Sequence, residues 1–221
     1  MSEIIFVHGA GLDSRAWDQQ TRFFTDSVAV DLPGHGRSTA APMDDVADYA
    51  TWLGEEIRRL RAGPLTLAGH SLGSLIALET AAHNPDFVDH LVLIATSSAM
   101  PVHHELMATA AEKDPAAAAM LMKWSLTQPR YSRPKTWVRD IEESFVAAAE
   151  AGALAMDLVA CDSYSNAITI AAEVKCPTLL ILGEHDIMTR PAGARLLGIR
   201  AVAPGGVLRD GALARQEGER R

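Results

Sequence analysis

The pentapeptide Gly69-His70-Ser71-Leu72-Gly73 is the part of the sequence best suited to chemistry. It follows a short apolar run, residues 65–68, and opens a segment with helical spacing. The glycines let a helix pack closely against the preceding strand, and the tight turn between them exposes the serine hydroxyl. The first amides of a helix also offer N–H groups and the positive end of a dipole to a developing oxyanion. The motif therefore predicts a nucleophilic serine at position 71 and an oxyanion donor at the amide of Leu72.

A second glycine-rich segment, His8-Gly9-Ala10-Gly11, ends the first apolar run, residues 4–7. A loop at the end of a parallel strand can place a backbone N–H opposite the serine turn. We expect the amide of Ala10 to be the second oxyanion donor. His8 is expected to brace the loop by hydrogen bonding.

Asp186 is the candidate for the acidic member of the site. It lies just after the last predicted strand, in Gly183-Glu184-His185-Asp186. A carboxylate at this position can orient an imidazole and stabilise its protonated form. A turn aspartate at a strand end is the alternative.

Short apolar runs alternate with amphipathic stretches, which predicts an α/β fold with a mostly parallel sheet and flanking helices. The predicted strands are residues 4–7, 28–30, 65–68, 91–95 and 178–182, and the predicted core helices are residues 14–24 (capped by Ser14), 44–61 and 72–82. Residues 97–173 contain only helical runs and are predicted to form an inserted helical cap. The predicted organisation is a first core part (1–96), the cap (97–173), a second core part (174–197) and an atypical tail (198–221).

Composition excludes several function classes. The 221 residues carry a net charge of −8, which disfavours nucleic acid or an anionic membrane as a partner. We expect no metal site, no nucleotide-binding loop and no cofactor, and the two cysteines do not suggest a disulfide framework. Neither a signal peptide nor a membrane-spanning run is evident, so we expect a cytoplasmic protein.

Four segments carry a family resemblance: HGAG, DLPGHGRS, GHSLGS and GEHDIMTRP, in this order. Over about residues 3–197 the chain resembles the α/β-hydrolase superfamily, in its esterase, lactonase and C–C hydrolase branch. The resemblance implies a cofactor-free serine hydrolase for a small ester, lactone or related acyl compound. It implies that Ser71 and Asp186 are catalytic, that the amides of Ala10 and Leu72 form the oxyanion hole, and that a supporting motif is formed by His8, Gly9, Gly11, Gly69, His70 and Gly73.

One feature of that family is missing. The family orders its triad as nucleophile, acid and histidine, but residues 187–221 contain no histidine. The base must come within roughly 3 Å of the serine hydroxyl. His70 is next to Ser71 but is expected to point away along the turn, and His185 adjoins Asp186 but belongs to the wrong loop. The substitutes that could lie over the site are His103 and His104, near the start of the cap.

The tail from about residue 198 is rich in Ala, Gly, Arg and Pro and lacks aromatic residues. We expect it to be a shifted reading frame or an equivalent truncation. The resemblance also implies that the family's first two strands are absent, because the sequence opens on what is usually the third, so we expect the fold to be incomplete at both ends. Residues 199–202 are expected to form a short edge strand, and residues 209–221 to be loosely attached. Three hypotheses follow: an impaired hydrolase, a working hydrolase with a substitute base, and a non-catalytic ligand-binding module.

Overall fold

A computed structural model describes residues 3–60, 63–125, 134–199, 207–209 and 212–213. Within them, one sheet has the strand order β2-β1-β3-β4-β5-β6-β7. Strands β1 to β6 are parallel and β7 runs antiparallel to β6, which confirms the predicted mostly parallel sheet. The strands are β1 Ile4–Val7, β2 Ser27–Val30, β3 Leu65–His70, β4 Val88–Ile94, β5 Thr178–Gly183, β6 Val207–Arg209 and β7 Ala212–Leu213.

Helices connect the strands, as the alternating pattern predicts. Those in the core are α1 Asp18–Phe23, α2 Val46–Leu60, α3 Leu72–His83 and, after β5, α9 Pro191–Arg195. Between β4 and β5 lie α4 His104–Ala111, α5 Ala116–Ser125, α6 Lys135–Ala151, α7 Ala153–Ser163 and α8 Ala167–Glu173. Helix α8 is not among the runs predicted from the sequence.

The predicted start of the first helix is wrong in detail. Ser14 does not cap it; instead Asp13 caps one turn of 3-10 helix, Ser14–Trp17, and its Oδ1 accepts the amide of Arg15 at 2.9 Å. Aspartate and serine are both good N-caps, so adjacent copies leave the exact start open to local geometry.

The main core lies on one face of the sheet. Ile5, Leu67 and Leu91 occupy aligned positions on β1, β3 and β4 and are buried. Two residues further along, Leu93 and Leu180 are aligned on β4 and β5 and are also buried. Helices α2, α3 and α8 cover this face with the apolar side chains of the same buried cluster. Because α3 packs directly on the sheet, the residue at its start is held at the sheet's carboxyl edge.

The helices between β4 and β5 have a second core of their own. It is formed by α4 to α7, and one core-loop residue, Leu12, inserts into it. Polar bonds join the same parts: Asp13 Oδ2 accepts from Ser144 Oγ at 2.8 Å, and Arg15 pairs with Glu143 at 2.9 Å. The inserted helices are therefore anchored to the loop that follows β1.

The tail is described in part. The expected strand at residues 199–202 lies, apart from Ile199, outside the described residues and stays a prediction. A strand that the sequence did not predict, Val207–Arg209, lies beside β5, with Val207 opposite Leu182. Most of residues 209–221, expected to be loosely attached, also lie outside the described residues.

In the described ranges, no single helix is both long enough and apolar enough to cross a membrane. Helices α6 and α7, which meet at a sharp bend, reach the necessary length and apolar composition only when they are taken together.

Candidate active site

Ser71 stands at the turn between β3 and α3 with φ 52° and ψ −122°. A non-glycine residue rarely adopts a positive φ, so the strained turn predicted from the motif is present. The amide of Ser71 donates to the carbonyl of Ile94 on β4 at 3.0 Å, and its carbonyl accepts from Ser74 Oγ at 2.6 Å. These bonds hold the strained residue from both sides.

The two glycines of the motif are required by close backbone contacts. A Cβ atom on Gly69 would lie 2.0 Å from the carbonyl oxygen of Gly73. A Cβ atom on Gly73 would lie 2.3 Å from the carbonyl oxygen of His8 and 2.5 Å from that of Val7. Helix α3 thus starts in backbone contact with the ends of both β3 and β1, and this contact brings the serine turn to the β1 loop.

The loop after β1 packs against Ser71 itself. A Cβ atom on Gly9 would lie 3.1 Å from the Cβ atom of Ser71 and 3.0 Å from Nδ1 of His70. Within the described part of the chain, the amides of Ala10 and Leu72 donate to no protein acceptor. Their assignment as oxyanion donors stays a prediction, because a free N–H group does not by itself show where it points.

His8 braces this loop, as its position predicts. Its Nδ1 lies 2.9 Å from the carbonyl oxygen of Gly9, and its Nε2 accepts the amide of Leu32 at 3.0 Å. The loop after β2 is held by Asp31, which accepts the amides of Ser14 and Arg37.

Asp186 follows β5, so it lies at the same carboxyl edge of the sheet as Ser71. Its Oδ1 accepts the amides of Met188 and Thr189, and its Oδ2 accepts from Thr189 Oγ1 at 2.7 Å. Burial lowers the pKa of His70, and the negative charge of Asp186 opposes this shift. The carboxylate of Asp186 and the imidazole of His70 therefore interact electrostatically at this edge of the sheet. Since each carboxylate oxygen has two lone pairs, Oδ2 can accept a further N–H donor.

The histidines are distributed unevenly around this edge. His83, His90, His103, His104 and His185 are exposed. His103 caps α4 with its Nδ1 on the amide of Glu105 at 3.3 Å. His8 and His35 are buried and engaged with neighbouring loops, whereas Nδ1 of His70 lies beside Gly9, in the loop that packs against Ser71.

Asp157 is a site-proximal residue that the sequence analysis missed. It lies on α7, is completely buried, and accepts the amide of Gly11 at 2.8 Å. Its Oδ2 also lies 2.9 Å from Nε2 of His35. The signal for it was weak, because one aspartate in an apolar helical segment does not reveal which loop it meets.

The buried histidines predict a pH dependence of stability. Burial, with the charge of His35 as the next cause, lowers the pKa of His8 from 6.5 to about 4. Between these two pH values the unfolded chain therefore binds a proton at His8 that the folded chain does not bind. Protonation favours the unfolded state, so the free energy of unfolding falls by about 3 kcal/mol as the pH drops from 6.5 to 4. The lowered pKa of His70 acts in the same direction. Urea titrations across this range, compared with His8→Gln, measure the effect; an unchanged acid slope in the variant would contradict it.

Above neutral pH, stability is expected to fall for a different reason, the raised pKa of His35. Burial lowers the pKa of His35, but the charge and hydrogen bond of Asp157 outweigh burial and raise it overall. The resulting stabilisation is complete below the ordinary histidine pKa and is lost as the pH rises through the raised value. Stability is therefore expected to peak near neutral pH.

The described part of the chain includes histidine, cysteine and acidic side chains of the types that bind metal ions. No group of three or more His, Cys, Asp or Glu residues among them is placed to hold an ion. Cys161 and Cys176 are free thiols.

Several known hydrolases are similar to this chain in sequence or in fold. A hydrolase of (E)-2-((N-methylformamido)methylene)succinate from Acinetobacter baylyi is 28% identical over 196 residues, which are 83% of this chain and 72% of that protein. An esterase of Mycobacterium tuberculosis is 40% identical over 112 residues, 48% of this chain and 37% of the esterase. The crystal structure of an enol-lactonase from Burkholderia xenovorans superimposes with a TM-score of 0.79 at 22% identity, covering 89% of this chain and 78% of that one.

A family model shows how much of the chain the similarity covers. The model described as "Alpha/beta hydrolase family" matches residues 4–212, which extends beyond the residues 3–197 over which the resemblance was recognised. The chain therefore belongs to the alpha/beta hydrolase family.

Proposed function

We propose that this chain is a serine hydrolase of a small ester, lactone or related acyl compound, with Ser71 as nucleophile. Family membership and hydrolase relatives support a hydrolase for small molecules. The observation that carries the proposal is the φ of 52° at Ser71, beside a glycine loop whose backbone meets its Cβ atom. A binding protein without chemistry has no need of this strain.

The proposed reaction runs in two steps. Ser71 Oγ attacks the substrate carbonyl, and the amides of Leu72 and Ala10 hold the resulting oxyanion. The proton of Ser71 passes to a base, the leaving oxygen takes up a proton, and water then hydrolyses the acyl-serine. Asp186 is proposed to orient the base through its Oδ2.

Turnover is proposed to be impaired in these 221 residues. None of the eight histidines follows Asp186, and within the described residues Ser71 Oγ makes no hydrogen bond to any of the eight. A serine hydroxyl without an adjacent base keeps its proton and is a weak nucleophile. The alternative, a non-catalytic module that binds the same small molecules, predicts no acyl transfer to Ser71.

The test is single-turnover reaction with p-nitrophenyl acetate followed by intact-mass and peptide mass spectrometry. We expect slow release of p-nitrophenol and an acetyl group on Ser71. The Ser71→Ala variant is expected to lose both signals. Ser163→Ala, an exposed serine on α7, is the matched control and is expected to keep both. Equal rates in wild type and Ser71→Ala would overturn the proposal.

A further inference from the structure

Asp157 joins the inserted helices to three separate segments of the core. Its Oδ2 accepts the amide of Gly11 at 2.8 Å and faces Nε2 of His35 at 2.9 Å. Its Oδ1 accepts the hydroxyl of Tyr49 at 2.8 Å. Gly11 follows β1, His35 follows β2, and Tyr49 lies on α2, so a single carboxylate fixes three elements.

The contact with Gly11 falls directly beside the proposed oxyanion donor. Gly11 has φ 68°, and a Cβ atom there would lie 2.9 Å from Phe145 and 3.0 Å from Leu154. Helices α6 and α7 therefore enclose the loop with apolar side chains while Asp157 holds its backbone. Ala10 lies between Gly11, whose amide is held by Asp157, and Gly9, whose backbone packs against Ser71.

Burial makes the contacts of Asp157 with its three partners specific. Asp157 is 0% exposed and His35 is 4% exposed, so neither group can exchange its partner for water. A buried carboxylate is tolerated only when its oxygens are paired, which makes the arrangement of its donors rigid. The geometry of the loop is thus set by a residue that lies 146 positions further along the chain.

We propose that Asp157 is a positioning residue, which holds residues 9–11 so that the amide of Ala10 faces the oxyanion formed at Ser71. The inference rests on the proposed function of Ser71. The inserted helices then contribute to catalysis as well as covering the core, because the loop depends on α7 for its position. Loss of one oxyanion donor costs about 10²–10³-fold in kcat, and a displacement of about 1 Å costs up to about 10²-fold.

The test compares Asp157→Asn with Asp162→Asn. Asp162 is an exposed carboxylate on the same helix that accepts one amide, that of Val102 at 2.8 Å, and it is the matched control. Asp157→Asn is expected to lower the Ser71-dependent kcat about 10- to 100-fold per folded molecule, with KM changed less than about threefold. Asp162→Asn is expected to leave both values unchanged. An unchanged kcat in Asp157→Asn would overturn the inference.

Amide hydrogen exchange, measured by NMR, separates positioning from general stability. In Asp157→Asn the amide of Gly11 is expected to exchange faster while amides of the central strands, such as Leu67, stay protected. A uniform rise across the sheet would show a merely structural role and overturn the inference. Tyr49→Phe is the milder variant should Asp157→Asn fail to fold: it removes one donor to Asp157, and faster exchange at Gly11 with a kcat lowered about threefold is expected. No change in either would contradict the inference.

The two proposals fail in different ways. If Ser71→Ala hydrolyses the ester as fast as wild type, the proposed function fails whatever Asp157→Asn does. If Ser71 is required but the Asp157 variant keeps its kcat, only the positioning role fails.

Discussion

Hydrolysis of p-nitrophenyl acetate by the 221-residue chain is expected to be about 10⁴-fold slower than the ordinary kcat range of roughly 1–10³ s⁻¹. The reason is that the oxyanion donors can act while proton transfer from Ser71 is unassisted. Removing one member of a serine triad leaves only the catalysis supplied by the oxyanion hole and by binding. Initial rates at saturating ester measure this directly.

Exogenous imidazole is expected to restore part of the missing step. An imidazole bound between Ser71 and Asp186 would supply the general base, and general bases contribute about 10²–10⁴-fold when well positioned. We expect the Ser71-dependent rate to rise about tenfold or more with saturation in imidazole. The same titration on Ser71→Ala removes the contribution of imidazole acting in solution.

A fast rate without imidazole would contradict this expectation if Ser71→Ala abolished it. It would mean that a histidine within the chain serves as base. His70 would be examined first, because its Nδ1 lies beside Gly9 and its pKa responds to Asp186.

Replacing Gly73 by alanine is expected to have the largest effect on stability. The new methyl group would lie 2.3 Å and 2.5 Å from the carbonyl oxygens of His8 and Val7, far inside van der Waals contact. Both oxygens belong to backbone at the end of a central strand, so relief requires separating α3 from the sheet. The cost is expected to exceed about 3 kcal/mol, a large share of the stability of an ordinary domain. Urea unfolding followed by circular dichroism measures it.

Gly63→Ala is the matched control. A Cβ atom at Gly63 meets no heavy atom within 4 Å, and its φ is outside the left-handed region. We expect its unfolding midpoint to stay the same or rise slightly, because alanine reduces the freedom of the unfolded chain. Equal midpoints for the Gly63 and Gly73 variants would show that the helix start relaxes more easily than the contacts imply.

The sheet was predictable because its strands are apolar on both faces and separated by turn residues. The pattern located five strands within a few residues, but it ended β3 at residue 68, while the strand continues to His70. Strand β6 was not predicted, because nothing local marks Val207–Arg209 as a strand.

The strain at Ser71 was also predictable. The glycines on either side of the serine indicate a turn in which the backbone segments lie too close together to leave room for side chains. A second strained residue was not predictable: Ala95 has φ 50° at the end of β4, with its amide on the carbonyl of Ile181. An alanine carries no sequence signal for a positive φ, so only the packing of β4 between two strands reveals it.

By itself, the sequence determined the parallel sheet, the serine turn and the glycines that it needs, because these depend on residues close together along the chain. It also determined that no histidine follows Asp186, which is a matter of residue content. The tertiary structure alone decided which loop each buried carboxylate meets. Asp157 holds Gly11, and Asp13 accepts from Ser144, across 146 and 131 positions. Such pairs depend on how the inserted helices pack against the core. Burial then makes the pairs specific, because a buried carboxylate without a hydrogen-bond partner would strongly destabilise the folded state.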